Sequence, residues 1–249
     1  MYTLIPLLIT FIFGTLIGSF LNVLIYRVPR HEDFVVTKSH CMSCGYTLRW
    51  FDLIPIVSWL ILGGKCRKCK AKVSMQYPII EALSGLLWAS IVYVTGLNLD
   101  ALILCLMASA LLALSVIDFR TLEIPVGFNI FLTILGVFMI MLHRDMWYLY
   151  LVGSIVVALP LAILYYTPHG AAIGGGDVKL MFASGLLIGY RANLIAFFLG
   201  CVLGAVIHVI RMRFFKADRT LAMGPYLSAG IIIAALFAEE FIAFYINLF

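Results

Sequence analysis

The stretch "AIGGGDVKLM" (residues 172–181) runs three glycines into an aspartate and a lysine, and apolar sequence resumes at once. At the start of a soluble helix such a carboxylate caps exposed N–H groups. Within a bilayer it is expensive and needs a functional reason. The surrounding sequence decides between these readings. Of the 249 residues, 64% are hydrophobic and only 12% are charged, with a mean hydropathy of +1.10. Soluble domains carry about 25% charged residues, so the fold class is an all-α polytopic membrane protein. Residues 1–26 hold no charged side chain and no small-residue cleavage site after a basic segment, so a retained span is expected there rather than a signal peptide.

A helical crossing takes roughly 17–25 apolar residues. The uncharged runs predict about eight transmembrane helices, at 4–26, 79–97, 101–118, 124–142, 146–166, 176–190, 192–210 and 222–247. With both termini outside, 15 of the 17 lysines and arginines fall on the cytosolic side, and only Arg144 and Arg191 do not. That asymmetry is the positive-inside pattern. The net charge of +5 is accounted for by this distribution, and no nucleic-acid partner is predicted. The lipid bilayer is the expected surrounding, and oligomeric state is not legible. Gly14/Gly18, Gly185/Gly189 and Gly200/Gly204 have the GxxxG spacing that lets helix backbones approach closely.

Polar residues concentrate in one loop after the first helix. It contains C41-M-S-C44 and C66-R-K-C69. Two CxxC pairs at this separation predict a structural Zn2+ site with Cys41, Cys44, Cys66 and Cys69 as ligands. The reducing cytosol argues against disulfides. Lys65, Arg67, Lys68 and Lys70 are placed to offset the charge of four thiolates. "WFDLIPIVSWLILGG" (50–64) is apolar but too short to cross. It predicts either a hairpin lying on the inner leaflet, with Trp50 and Trp59 at the interface, or the core of a small zinc domain. The expected organisation is a first transmembrane helix over 1–27, a cytosolic four-cysteine zinc domain over 28–77, and a seven-helix membrane domain over 78–249.

Asp118 ends the third predicted span, in "SVIDFRTLEIP" (115–125), and Asp177 starts the sixth. The topology puts both at the cytosolic face, at one depth. Two carboxylates at one level predict an aspartyl protease, in which one takes a proton from water while the other polarises the scissile carbonyl. The helix dipoles suggest Asp177 as the resting anion and Asp118 as the acid. Gly174, Gly175 and Gly176 are expected to supply backbone freedom or to let substrate pass close.

Gly174-x-Gly176-Asp177, followed by Lys179 and Leu180, resembles the GxGD motif of type IV prepilin peptidases. The resemblance covers nearly the whole chain and includes "GSFLNVLIYRVP" (18–29), the double CxxC, "YPIIEALSGLLW" (77–88), Asp118 and "MGPYLSAG" (223–230). One departure is Val126, where the family often has an aspartate after "IP". The resemblance implies an aspartic endopeptidase of the bacterial inner membrane with catalytic Asp118 and Asp177 facing the cytosol. It would cut the basic leader from prepilins or pseudopilins. It also implies N-methylation of the new terminus with S-adenosylmethionine as cofactor, although no Rossmann-type glycine fingerprint is present. Glu81, at a cytosolic helix start, is the candidate for methyl transfer; Glu123 and Asp52 are candidates for contact with the basic leader. Other readings stay open: a presenilin-like protease, a transporter, a serine protease using Ser184 and His208, and a zinc-stapled assembly factor without catalysis.

Overall fold

In hydrocarbon every backbone N–H and C=O must be paired within the chain, so apolar runs of this length become helices. The computed structural model describes residues 4–167, 174–215 and 221–247. Ala172 and Ile173 of the opening stretch, and Lys216 and Arg219 of the basic cluster near the last span, lie outside them. The helices are α1 (Leu4–Arg27), α2 (Val57–Ile61), α3 (Gln76–Thr95), α4 (Leu99–Thr121), α5 (Val126–Leu142), α6 (Trp147–Val156), α7 (Ala158–Tyr166), α8 (Gly175–Phe215) and α9 (Gly224–Ile246). Strand pairing among the described residues is limited to two isolated bridges in the cysteine loop, His40 with Thr47 and Lys65 with Lys72.

Among the described residues, six helical stretches are long and apolar enough to cross a membrane, and α5 is a shorter apolar helix of 17 residues. The chain is a multi-pass membrane protein. α8 spans 41 residues, about 60 Å at 1.5 Å per residue, twice a hydrocarbon core of about 30 Å. It is broken at Gly189, where φ is 73° and ψ 175°. Only glycine adopts that conformation readily, so α8 is two arms, matching the sixth and seventh expected spans. The predicted fifth span is divided at Val157 between α6 and α7. Pro160 lacks an N–H and its ring crowds the carbonyl four residues back, on Val156.

The chain divides into two compact units, residues 1–113 and 114–249. In the first, α1 packs along α3. Gly14 and Gly18 allow the approach: a β-carbon would sit 2.8 Å from the Gly85 Cα and 2.7 Å from the Glu81 Cα respectively. Asn22 donates to the carbonyls of Gly18 and Tyr77 and accepts from Gln76, tying α1 to the start of α3. Trp88 Nε1 donates to Ser109 Oγ at 2.8 Å, which joins α3 to α4.

In the second unit, α8 packs against α5, α6, α7 and α9. Gly153 of α6 and Gly185 of α8 meet backbone to backbone, and Gly136, Gly200 and Gly230 make the other close crossings. The small-residue spacing thus serves helix packing, which in lipid cannot draw on a hydrophobic driving force. Asn193, fully buried, donates to Gly153 O and Met181 O and accepts from Ser184 Oγ. This polar junction clamps α6 to both arms of α8 beside the break.

Candidate active site and metal centre

The cysteine loop is built from two copies of one turn. Gly45 N–H donates to Cys41 O at 2.9 Å, and Lys70 N–H donates to Cys66 O at 3.0 Å. Cys41 N–H donates to Tyr46 O, and Cys66 N–H to Ala71 O. The residue after each second cysteine has positive φ, 66° at Gly45 and 60° at Lys70. The paired turns bring the sulfurs of Cys41, Cys44, Cys66 and Cys69 within 4.8 Å of one another, with Cys41 and Cys69 Sγ at 3.8 Å. Zn–S bonds of about 2.3 Å in a tetrahedron require sulfurs about 3.8 Å apart, so the four thiols fit a zinc ion. N–H groups of Ser43 and Cys44 pull the Cys41 thiol down to about 6. The Ala71 N–H draws the Cys69 thiol down, but hydrogen bonds with the other three sulfurs and burial outweigh it and push it up to about 11.

Around the cysteines, Arg67 Nε donates to Asp52 Oδ1 at 2.7 Å and the guanidinium lies 4.9 Å from the Phe51 ring. Arg67 is thus tied to Asp52 and Phe51. Burial alone would push Asp52 up; Arg67 and the Arg49 N–H hold it below the usual carboxylate range. Asp52 is thus an internal strut, whereas Glu123 is exposed. Arg27, buried at the end of α1, donates to the carbonyls of Asp33, Thr37 and Lys38. The Asp33 carboxylate accepts the N–H groups of Val35, Val36 and Thr37, which hold it below its ordinary value. Trp50 is 78% exposed. Trp59 is half-buried and donates to Val73 O, so the two tryptophans divide between surface and core.

Glu81 is buried on α3 and its Oε2 accepts the N–H of Ile56 at 2.7 Å. Ile56 has φ 62°, a strained value for a β-branched residue, and this hydrogen bond holds the hairpin turn against α3. Glu81 also lines a cavity of about 360 Å³ together with Asn22, Asp52, Trp59, Cys41 and Cys66.

Asp118 and Asp177 both lie in the second unit. α4 runs one turn beyond Asp118 before Leu122 ends it with φ 56°. Asp118 is 5% exposed, and its Oδ2 accepts the N–H of Gly224, the first residue of α9, at 2.8 Å. A β-carbon on Gly224 would fall 2.6 Å from that oxygen. Asp177 is half-buried in the first turn of α8, and the two carboxylates are near enough for their charges to repel. Each aspartate therefore meets a helix N-terminus, Asp177 its own and Asp118 that of α9. This removes the dipole asymmetry that suggested which carboxylate rests ionised. Gly174, Gly175 and Gly176 have no positive φ. A β-carbon on Gly176 would lie 2.8 Å from Ile124, and one on Gly174 would lie 3.0 Å from Asp177 Oδ2. The glycines serve close approach rather than unusual backbone angles.

Ser184 is buried with its hydroxyl engaged by Met181 O and Asn193 Oδ1, an arrangement without the histidine base a serine nucleophile needs. Gly224 was reachable from sequence only as part of "MGPYLSAG". Asn129 is a lone amide within the apolar α5, and no motif around it marks it in the sequence.

Residues 12–95 match the family model described as the bacterial peptidase A24 N-terminal domain, and residues 105–209 match that of the type IV leader peptidase family. A relative from Bacillus subtilis (strain 168), named prepilin leader peptidase/N-methyltransferase, is 33% identical over 244 residues, covering 96% of this chain and 98% of the relative. Relatives of the same name from Pseudomonas putida and Pseudomonas aeruginosa PAO1 are 30% and 28% identical. They cover 93% and 96% of this chain, and 91% and 93% of their own lengths. No solved structure matches the chain.

Proposed function

The chain belongs to the type IV leader peptidase family, and on that premise we propose that it cleaves the basic leader of a prepilin or pseudopilin with Asp118 and Asp177. The supporting observation is the convergence of these two carboxylates in one compact unit, 59 positions apart in sequence, with Asp118 held by the Gly224 amide. One carboxylate removes a proton from water as the water oxygen bonds to the scissile carbonyl carbon. The other, protonated, polarises the carbonyl oxygen. The C–N bond then breaks and the leaving amine takes up a proton. The site faces the cytosol across the inner membrane, at the depth where a basic leader meets an apolar helix. The positive-inside distribution supports that orientation.

The loop over 28–77 is a zinc-stapled cytosolic domain between the first transmembrane helix and the protease domain of residues 78–249. Cys41, Cys44, Cys66 and Cys69 hold structural Zn2+ there. The 360 Å³ cavity beside them falls within the usual size for a small-molecule site, and its lining sets Glu32, Asp52 and Glu81 among Arg27, Lys65, Arg67, Lys72 and the rings of Tyr26, Trp59 and Tyr77, groups of both signs for a ligand that carries a sulfonium and a carboxylate. S-adenosylmethionine, when bound, supplies the methyl group for the new terminus. Glu81 orients the substrate amine through the carboxylate whose Oε2 is fixed by Ile56.

Cleavage of a prepilin in detergent, with methylation followed in the same reaction, tests this reading. Asp118→Asn and Asp177→Asn should each abolish cleavage while a pre-cut pilin is still methylated. Cleavage by either variant at the wild-type rate removes that aspartate from the chemistry.

A further inference from the structure

A second recess, of about 550 Å³, lies between α5, α6–α7 and the first arm of α8. Its walls are almost wholly apolar, with Ile130, Ile155, Leu159 and Phe182 largely exposed, as expected of surface that meets hydrocarbon. Two features separate it from ordinary lipid-facing surface. Val178 and Lys179, the residues directly after Asp177, are among its lining, so the groove runs beside the same first turns of α8 that carry the proposed catalytic position, on a neighbouring face. Asn129 lies on its wall, 5% exposed, and neither the amide nitrogen nor the amide oxygen has a hydrogen-bond partner. An unpaired amide within a membrane helix costs free energy, and an acyl chain offers neither donor nor acceptor. A peptide backbone offers both. A helix entering the site exposes N–H groups in its first turn, and the extended segment before it exposes carbonyls.

We propose that this groove receives the start of the substrate's apolar helix, just beyond the scissile bond, and that the Asn129 amide pairs with main-chain groups there. From Val126 to Ile134 the α5 wall is about 12 Å long, some two turns of an incoming helix. The assignment rests on Asp177 being catalytic, because the occupant is inferred from the unpaired Asn129 amide and from the groove's place beside the helical turns that carry that residue. Asn129 acts as a positioning residue, holding backbone at a fixed offset from Asp177.

The test uses the full chain with two substrates: a prepilin carrying its apolar helix, and a peptide ending a few residues past the cleavage site. Asn129→Leu removes both polar atoms at similar volume, and Ala162→Trp fills the groove. Each should reduce the preference for the helix-bearing substrate at least tenfold, with the loss in KM rather than kcat. A photo-crosslinking residue at Leu159, which is 53% exposed, should capture the helix-bearing prepilin. Unchanged preference in both variants overturns the proposal, as does a crosslink only to lipid or to a second copy of the chain. Asp177→Asn is run alongside. If it still cleaves both substrates, the catalytic reading fails. If it is inactive while the groove variants retain wild-type preference, only the groove assignment fails.

Discussion

Gly224 illustrates how a single missing methyl group sets a site. Its N–H reaches Asp118 Oδ2 at 2.8 Å because nothing projects from its α-carbon into the carboxylate. Gly224→Ala must displace either the carboxyl group or the first turn of α9. A displacement of about 1 Å at a reacting group costs on the order of 100-fold in rate, so kcat for leader cleavage should fall by about that factor with zinc content unchanged. Wild-type kcat would show that the amide contact is dispensable. Asp33 acts through charge instead. Its folded value lies below the ordinary one, so its contribution is present above the unfolded carboxylate range and is lost as pH falls through the depressed folded value. The advantage of wild type over Asp33→Asn, read as zinc-loop unfolding by tryptophan fluorescence, should be constant above about pH 5 and shrink below it. A difference that grows on acidification would contradict the charge argument.

At the scale of elements, α8 depends on its break. Gly189 sits where L-residues are strongly disfavoured, and Asn193 and Ser184 tie the adjoining turns to α6. Gly189→Ala should destabilise the protein by about 1–3 kcal/mol, measured as a lower denaturant midpoint in detergent. An unchanged midpoint would mean that the two arms rejoin as one continuous helix without loss. The cysteine loop has the opposite design, with few long elements and two matched turns. Lys70 occupies the left-handed position that Gly45 takes in the other turn, a strain held by the hydrogen bonds from Lys70 N–H to Cys66 O and from Cys66 N–H to Ala71 O.

Over the whole molecule, the charge asymmetry predicts which surfaces can be reached from each side. Single cysteines introduced at Arg144 and Lys38 in a cysteine-free background should be labelled by a membrane-impermeant reagent only from the outside and only from the cytosolic side, respectively. Labelling of both from one face would refute the eight-span topology. Much of the fold was legible because a bilayer leaves the backbone few options: uncharged runs of about 20 residues must be helical, and the number of runs sets the number of crossings. The four-cysteine cluster was legible because each pair lies within one tight turn, so spacing and geometry nearly coincide. The aspartates stood out because charge in apolar sequence needs a reason. From the sequence alone came the helical class, the apolar runs that become the long helices, and the four cysteines that the structure brings together. It is the packing of the chain that brings an α9 amide to Asp118 across 106 positions of sequence, Arg67 to Asp52, neighbouring side chains against the GGGD glycines, and an unpaired Asn129 beside the Asp177 helix. These are contacts between helices, and helix packing in lipid is set by shape and by isolated polar pairs, neither of which leaves a period or a spacing in the chain.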